Sequence, residues 1–211
     1  MGSLQSIKTL IGHTDRVLSV AMTPDRKHAV SASWDNNCIL WDLENGKPLT
    51  FFIGHNYAVN SVAITPDGKH AVSASLDETC IIWDIESMML IRTLKGHTGS
   101  VNAILITPDG KQIVSVSEDK TCILWDLESG KPLLKLSGHT DFIKDLAISS
   151  DGKHAISVSA DKTAILWDLE SGIKRAHFFS KERLNCLSIN SEFIVIGGQS
   201  GEIIFLTMPD I

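Results

Sequence analysis

The chain has 211 residues, 43% hydrophobic and 21% charged, which suits one globular domain and excludes a disordered or collagen-like polymer. Its net charge of -6, with no local basic stripe, argues against a nucleic-acid partner. No window reaches the roughly 18 apolar residues of a membrane span, and Met1-Gly2-Ser3-Leu4 does not open a basic-then-apolar leader, so a cytoplasmic protein without membrane attachment is expected.

From the N-terminus, short runs rich in Val, Ile, Ser and Ala follow one another at residues 7–11, 17–22, 28–33 and 38–43. Each run is bounded by Asp, Asn, Gly or Pro. The order then repeats. Gly-His stands at Gly12-His13, Gly54-His55, Gly96-His97 and Gly138-His139, and Trp-Asp at Trp41-Asp42, Trp83-Asp84, Trp125-Asp126 and Trp167-Asp168, always 42 residues apart. Turn residues keep the same beat at Pro24-Asp25, Pro66-Asp67-Gly68, Pro108-Asp109-Gly110 and Ser150-Asp151-Gly152. Four strands per unit, and no sustained helical period, predict an all-β chain. A four-stranded sheet that is apolar on both faces cannot stand alone. Repeated radially, each sheet covers its neighbour, which is the logic of a β-propeller with antiparallel blades.

The pattern fills residues 6–47, 48–89, 90–131 and 132–173. A fifth copy, 174–211, is degraded: residues 184–189, 193–198 and 203–206 read as strands, but Gly-His is gone and Leu206-Thr207 replaces Trp-Asp. Residues 1–211 therefore read as a single domain of five blades, in which the extra first strand, 7–11, completes the last blade and removes both sheet edges. Three arrangements fit: a closed five-bladed ring, which is favoured; an incomplete ring that pairs with a second copy as a homodimer; and a fragment of a longer array.

Gly-His near the start of each unit, an Asp six residues before the Trp, and Trp-Asp ending the third strand resemble the WD40 repeat, over nearly the whole chain. The resemblance implies a non-catalytic scaffold or sensor propeller with a protein or peptide partner. Such regular repeats also resemble those attached to bacterial nucleotide-dependent signalling ATPases, which implies the C-terminal recognition part of a larger signalling protein. Within each blade it implies a hydrogen-bond chain from Asp to His to Ser to the Trp indole N–H. The members are His13, Ser33, Asp35 and Trp41; His55, Ser75, Asp77 and Trp83; His97, Ser117, Asp119 and Trp125; and His139, Ser159, Asp161 and Trp167. On paper His, Ser and Asp are a hydrolase triad. A nucleophile needs one exposed site with an oxyanion hole, however, whereas four equivalent copies serve architecture, so no catalytic residue is expected.

Cys38, Cys80 and Cys122 recur at one strand position, which is Ala164 in the fourth unit, and no Cys-x-x-Cys spacing exists. Equivalent positions in packed sheets lie about 10 Å apart, too far for a disulfide, so these cysteines read as small buried hydrophobes. His28, His70 and His154 recur beside a lysine and match no zinc spacing. No metal or cofactor is expected.

Function should then sit where the copies differ. By resemblance, partners contact the loop into the first strand and the turn between the second and third. Those places hold Arg16, Leu18 and Trp34; Asn60 and Leu76; Asn102 and Glu118; Phe142 and Lys144; and Arg183. Trp34 is the one Trp outside the repeat pattern and, with Arg16 and Phe142, suits a binding hot spot. A lectin-like propeller, with an aromatic and polar pocket in every blade, is the alternative from another class.

Overall fold

Each 42-residue unit closes on itself because three turns bring four β-rich runs into antiparallel register. The computed structural model describes residues 8–209. Blade 1 consists of β1 (Val17–Met22), β2 (His28–Ser33), β3 (Cys38–Asp42) and β4 (Lys47–Phe52). Blade 2 consists of β5 (Val59–Ile64), β6 (His70–Ser75), β7 (Thr79–Asp84) and β8 (Met89–Lys95). Blade 3 follows with β9 (Val101–Ile106), β10 (Gln112–Ser117), β11 (Thr121–Asp126) and β12 (Pro132–Ser137), and blade 4 with β13 (Ile143–Ile148), β14 (His154–Ser159), β15 (Thr163–Asp168) and β16 (Lys174–Phe179). Blade 5 has three strands, β17 (Leu184–Ile189), β18 (Phe193–Gly198) and β19 (Ile203–Thr207). Among the described residues no helix is long and apolar enough to cross a membrane.

The core lies between blades, as sheets apolar on both faces require. Val30, Ala32, Cys38, Leu40 and Phe52 of blade 1 pack on Val59, Val62, Ala71, Ile81 and Trp83 of blade 2, and the same positions repeat at the next two boundaries. The glycine of each Gly-His sits under the next indole: a Cβ on Gly54 would fall 2.9 Å from Trp83 Cη2, and one on Gly96 2.8 Å from Trp125 Cη2. Between blades 4 and 5, Leu206 takes the tryptophan's place, and beside it lies an apolar cavity of about 240 Å³ lined by Ile156, Leu166, Phe178 and Ile194.

The expected strand at 7–11 does not complete blade 5. Ile7 lies outside the described residues, as do residues 6, 210 and 211 of the expected unit limits. Residues 8–11 form no strand. They run instead along blade 1, where Leu10 packs on Ala29, Ile39 and Trp41 and Lys8 Nζ donates to the Glu44 carbonyl. Blades 1 and 5 share no packed face among the described residues, so the five sheets form an open arc.

Candidate partner-binding face

In every blade the loop entering the first strand is tied to the turn after the second by one backbone bond. The N–H of Trp34, Leu76, Glu118, Ala160 and Gln199 donates to the carbonyl of Arg16, Ala58, Ser100, Phe142 and Arg183, respectively, at 2.9 Å in each case. Ser33, Ser75, Ser117 and Ser159 reinforce the tie: each hydroxyl accepts from the N–H of the Asp two residues on and donates to a carbonyl of the entering loop, that of Asp15, Tyr57, Gly99 or Asp141. A fixed frame thus carries five pairs of side chains that differ from blade to blade.

Just beyond each tie the first strand bulges. The register skips Leu18, Asn60, Asn102, Lys144 and Asn185, so each has no cross-strand partner and is aimed out of the ladder. Asn60 and Asn102 are half-buried and serve the frame, since their amides donate to the Val101 carbonyl at 3.0 Å and the Ile143 carbonyl at 2.7 Å of the next blade. Lys144 at the equivalent position lies 5.5 Å from the Phe142 ring centre instead.

The exposed side chains are Arg16, Leu18, Trp34, Leu76, Phe142 and Arg183, with Glu118 half-buried. Trp34 is 44% exposed, and the Arg16 guanidinium sits over its ring, 5.0 Å from the centroid. This pairing presents an aromatic and a cation together in a fixed orientation, a combination suited to peptide recognition. Tyr57, 63% exposed on the entering loop of blade 2, adds an aromatic one residue before Ala58, whose carbonyl makes the tie of that blade.

Below this face lies the buried network. His13 Nδ1 is 2.7 Å from Asp35 Oδ2, its Nε2 is 2.6 Å from Ser31 Oγ, and Trp41 Nε1 donates to Ser31 Oγ at 2.8 Å. The same chain runs through His55, Asp77, Ser73 and Trp83, through His97, Asp119, Ser115 and Trp125, and through His139, Asp161, Ser157 and Trp167. A carboxylate only accepts and an indole N–H only donates, so His Nδ1 donates to the Asp and Ser Oγ accepts from the Trp, with His Nε2 and the serine hydroxyl paired between them. The serine differs from the one expected. Ser33, Ser75, Ser117 and Ser159 stand at the strand end and tie the entering loop, whereas Trp41 pairs with Ala29 and its ring overlies Ser31, two residues earlier on the same side of the strand. Ser31, Ser73, Ser115 and Ser157 also recur every 42 residues, so the signal was present in the sequence.

Burial alone would raise the carboxyls of Asp77 and Asp119, but hydrogen bonds from the histidine, the following threonine and a loop N–H outweigh it and hold both well below the usual range. Asp35 and Asp161 are lowered on the same balance. His139 is lowered, because its burial outweighs the attraction of Asp161. The four tryptophans of the pattern are buried with their N–H groups committed, which leaves no repeated aromatic pocket for a sugar. Cys38, Cys80 and Cys122 are buried and Cys186 is exposed. Burial pushes the thiols of Cys38 and Cys122 up to about 12 and raises that of Cys80. Among the described residues no three His, Cys, Asp or Glu side chains converge as a metal site.

A family model described as WD40, "WD domain, G-beta repeat", matches residues 4–42, 46–84, 88–126 and 130–168, well over half of the chain. A segment of 45 residues, 21% of the chain, is 44% identical to the eukaryotic translation initiation factor 3 subunit I of Homo sapiens, Rattus norvegicus and Bos taurus. The match spans 14% of the length of these relatives, so the likeness is on the scale of one repeat.

Proposed function

The chain belongs to the WD40 repeat family, and from that premise we propose that it is a non-catalytic platform whose loop face holds a protein or peptide partner. The observation that carries this reading is the Arg16–Trp34 pair. A part-exposed tryptophan under a guanidinium has no counterpart at the same place in the other blades, although the backbone frame that carries it repeats in each of them. Each His–Ser–Asp set is buried and committed to the hydrogen-bond chain of its own blade, which speaks against an activated nucleophile and an enzymatic reading.

The occupant that fits is a segment offering an acidic or carbonyl-rich group to Arg16, an apolar side chain to Trp34, and further apolar contacts to Leu76 and Phe142. Likeness of one repeat to an initiation factor subunit agrees with a role in an assembly, as does the resemblance to propellers of signalling proteins, and a cytoplasmic setting is part of the same proposal. The test is affinity capture by the wild-type chain and by Trp34→Ala, both checked for native circular dichroism. A partner retained by the wild type and released by the variant supports the reading; equal retention overturns the assignment to this face.

A further inference from the structure

The arc ends on two open sheet faces, and each repeats one half of an internal blade boundary. Where blade 5 covers blade 4, Leu184, Leu187, Ile189 and Ile204 pack on Ile156, Val158, Ala164 and Leu166. The strand registers put Val195, Gly197, Ile203 and Phe205 at the blade 5 positions of that second set. They put Val17, Val20, Met22 and Ile39 at the blade 1 positions of the first. At the first three internal boundaries the counterparts of Val20, Ile203 and Phe205 are buried, whereas at the two ends Val20 is 64%, Ile203 78% and Phe205 63% exposed; Ile39 is already covered by the segment that carries Leu10.

Three polar details make the ends complementary as well as apolar. Asn185 occupies the bulge position from which Asn60 and Asn102 reach the next blade's first strand, and the carbonyl next in that series is Val17 O. β19 has no partner on its outer edge among the described residues. Residues 8–13, Lys-Thr-Leu-Ile-Gly-His, repeat the end of a fourth strand, Arg92-Thr93-Leu94-Lys95-Gly96-His97, without a sheet of their own.

We infer that the chain associates head to tail, with blade 5 of one copy covering blade 1 of another and residues 8–11 of that second copy lying along β19 as its fourth strand. The contact continues the internal boundary with a copy as the next blade, so Asn185 meets Val17 O and Phe205 covers Val20. Adding a strand to an open edge supplies backbone bonds, and the apolar face beneath supplies specificity. Because the two surfaces differ, the contact is heterologous, and a copy with one damaged end keeps the other. This inference does not rest on the loop-face reading.

The experiment is light scattering over a dilution series of the whole chain, of Val20→Asp, of Phe205→Asp, and of the two variants mixed. Both positions are exposed in the single chain, so the substitutions spare folding, which thermal unfolding of each variant verifies. The expected result is a wild-type mass at least twice 23.0 kDa that falls to the monomer on dilution. Each variant alone is expected to be monomeric, and the mixture to give a species of two chains, since Val20→Asp retains an intact blade 5 face and Phe205→Asp an intact blade 1 face. A monomeric wild type throughout overturns the inference. So does an oligomer that neither variant disrupts, or a pair of variants that fails to recombine. Should either variant unfold, Val17→Lys and Ile203→Lys repeat the scheme.

Discussion

The ring of Phe52, at the end of blade 1, stacks on the indole of Trp83 in blade 2, with centroids 4.9 Å apart and planes inclined by 19°. The contact crosses a blade boundary, and both residues are at most 2% exposed, so this one pair reports how strongly two sheets adhere. Phe52→Ala is expected to cost about 3–5 kcal/mol, and Phe52→Leu, which restores the residue type of Leu94 and Leu136, less than about 1.5 kcal/mol. Urea unfolding of both variants checks the ranking.

Ser73 and Ser75 lie two residues apart on the same strand, yet only Ser73 joins His55 to Trp83. Ser73→Ala leaves the indole N–H and the imidazole Nε2 buried without partners and is expected to cost about 1–3 kcal/mol, with a shift in tryptophan emission. Ser75→Ala loosens the entering loop instead, and its emission is expected to stay that of the wild type.

Acid should weaken the fold. Asp77, Asp119 and Asp161 are lowered in the folded chain, so the unfolded chain takes up protons first; their contribution is complete above the ordinary carboxylate value of about 4 and is lost as pH falls below it. His139 is lowered too, so its contribution is complete above the ordinary imidazole value of about 6.5 and declines as pH drops through it. Both signs agree. The melting temperature should be flat between pH 7 and 8 in these respects, begin to decline toward pH 5 and fall more steeply near 4; His139→Asn should flatten the first part of the decline.

Met88 holds a φ of 61°, in the place where Gly46, Gly130 and Gly172 hold 70°, 66° and 73°. A left-handed backbone strains a residue with a Cβ by about 1–2 kcal/mol. Met88→Gly is therefore expected to stabilise the chain, by less than that amount because glycine also gains freedom when unfolded. A raised midpoint in chemical unfolding is the check.

The repeat made the blades and their order readable, because periodicity at 42 residues reports the sheet, its turns and its buried indole together. Ser31 and Ser33 show the limit of that reading. Both recur in four units, and only the pairing of Trp41 with Ala29 decides which one the indole reaches. Asn60 and Asn102 show another, since differing from Leu18 and Lys144 marked them for a partner while their amides belong to the frame. Residues 7–11 carry the pattern of a strand, but a local pattern does not contain the curvature of the arc, and curvature decides whether that segment meets β19.

Cys38, Cys80 and Cys122 stand at one depth in three consecutive blades, each thiol against the network serine of the next blade, Ser73, Ser115 or Ser157. A protonated, enclosed thiol does not react with an alkylating reagent until its surroundings open. The molecule therefore holds one silent reporter at each of its first three internal boundaries, and the order in which they become labelled would trace how the arc comes apart, sheet from sheet.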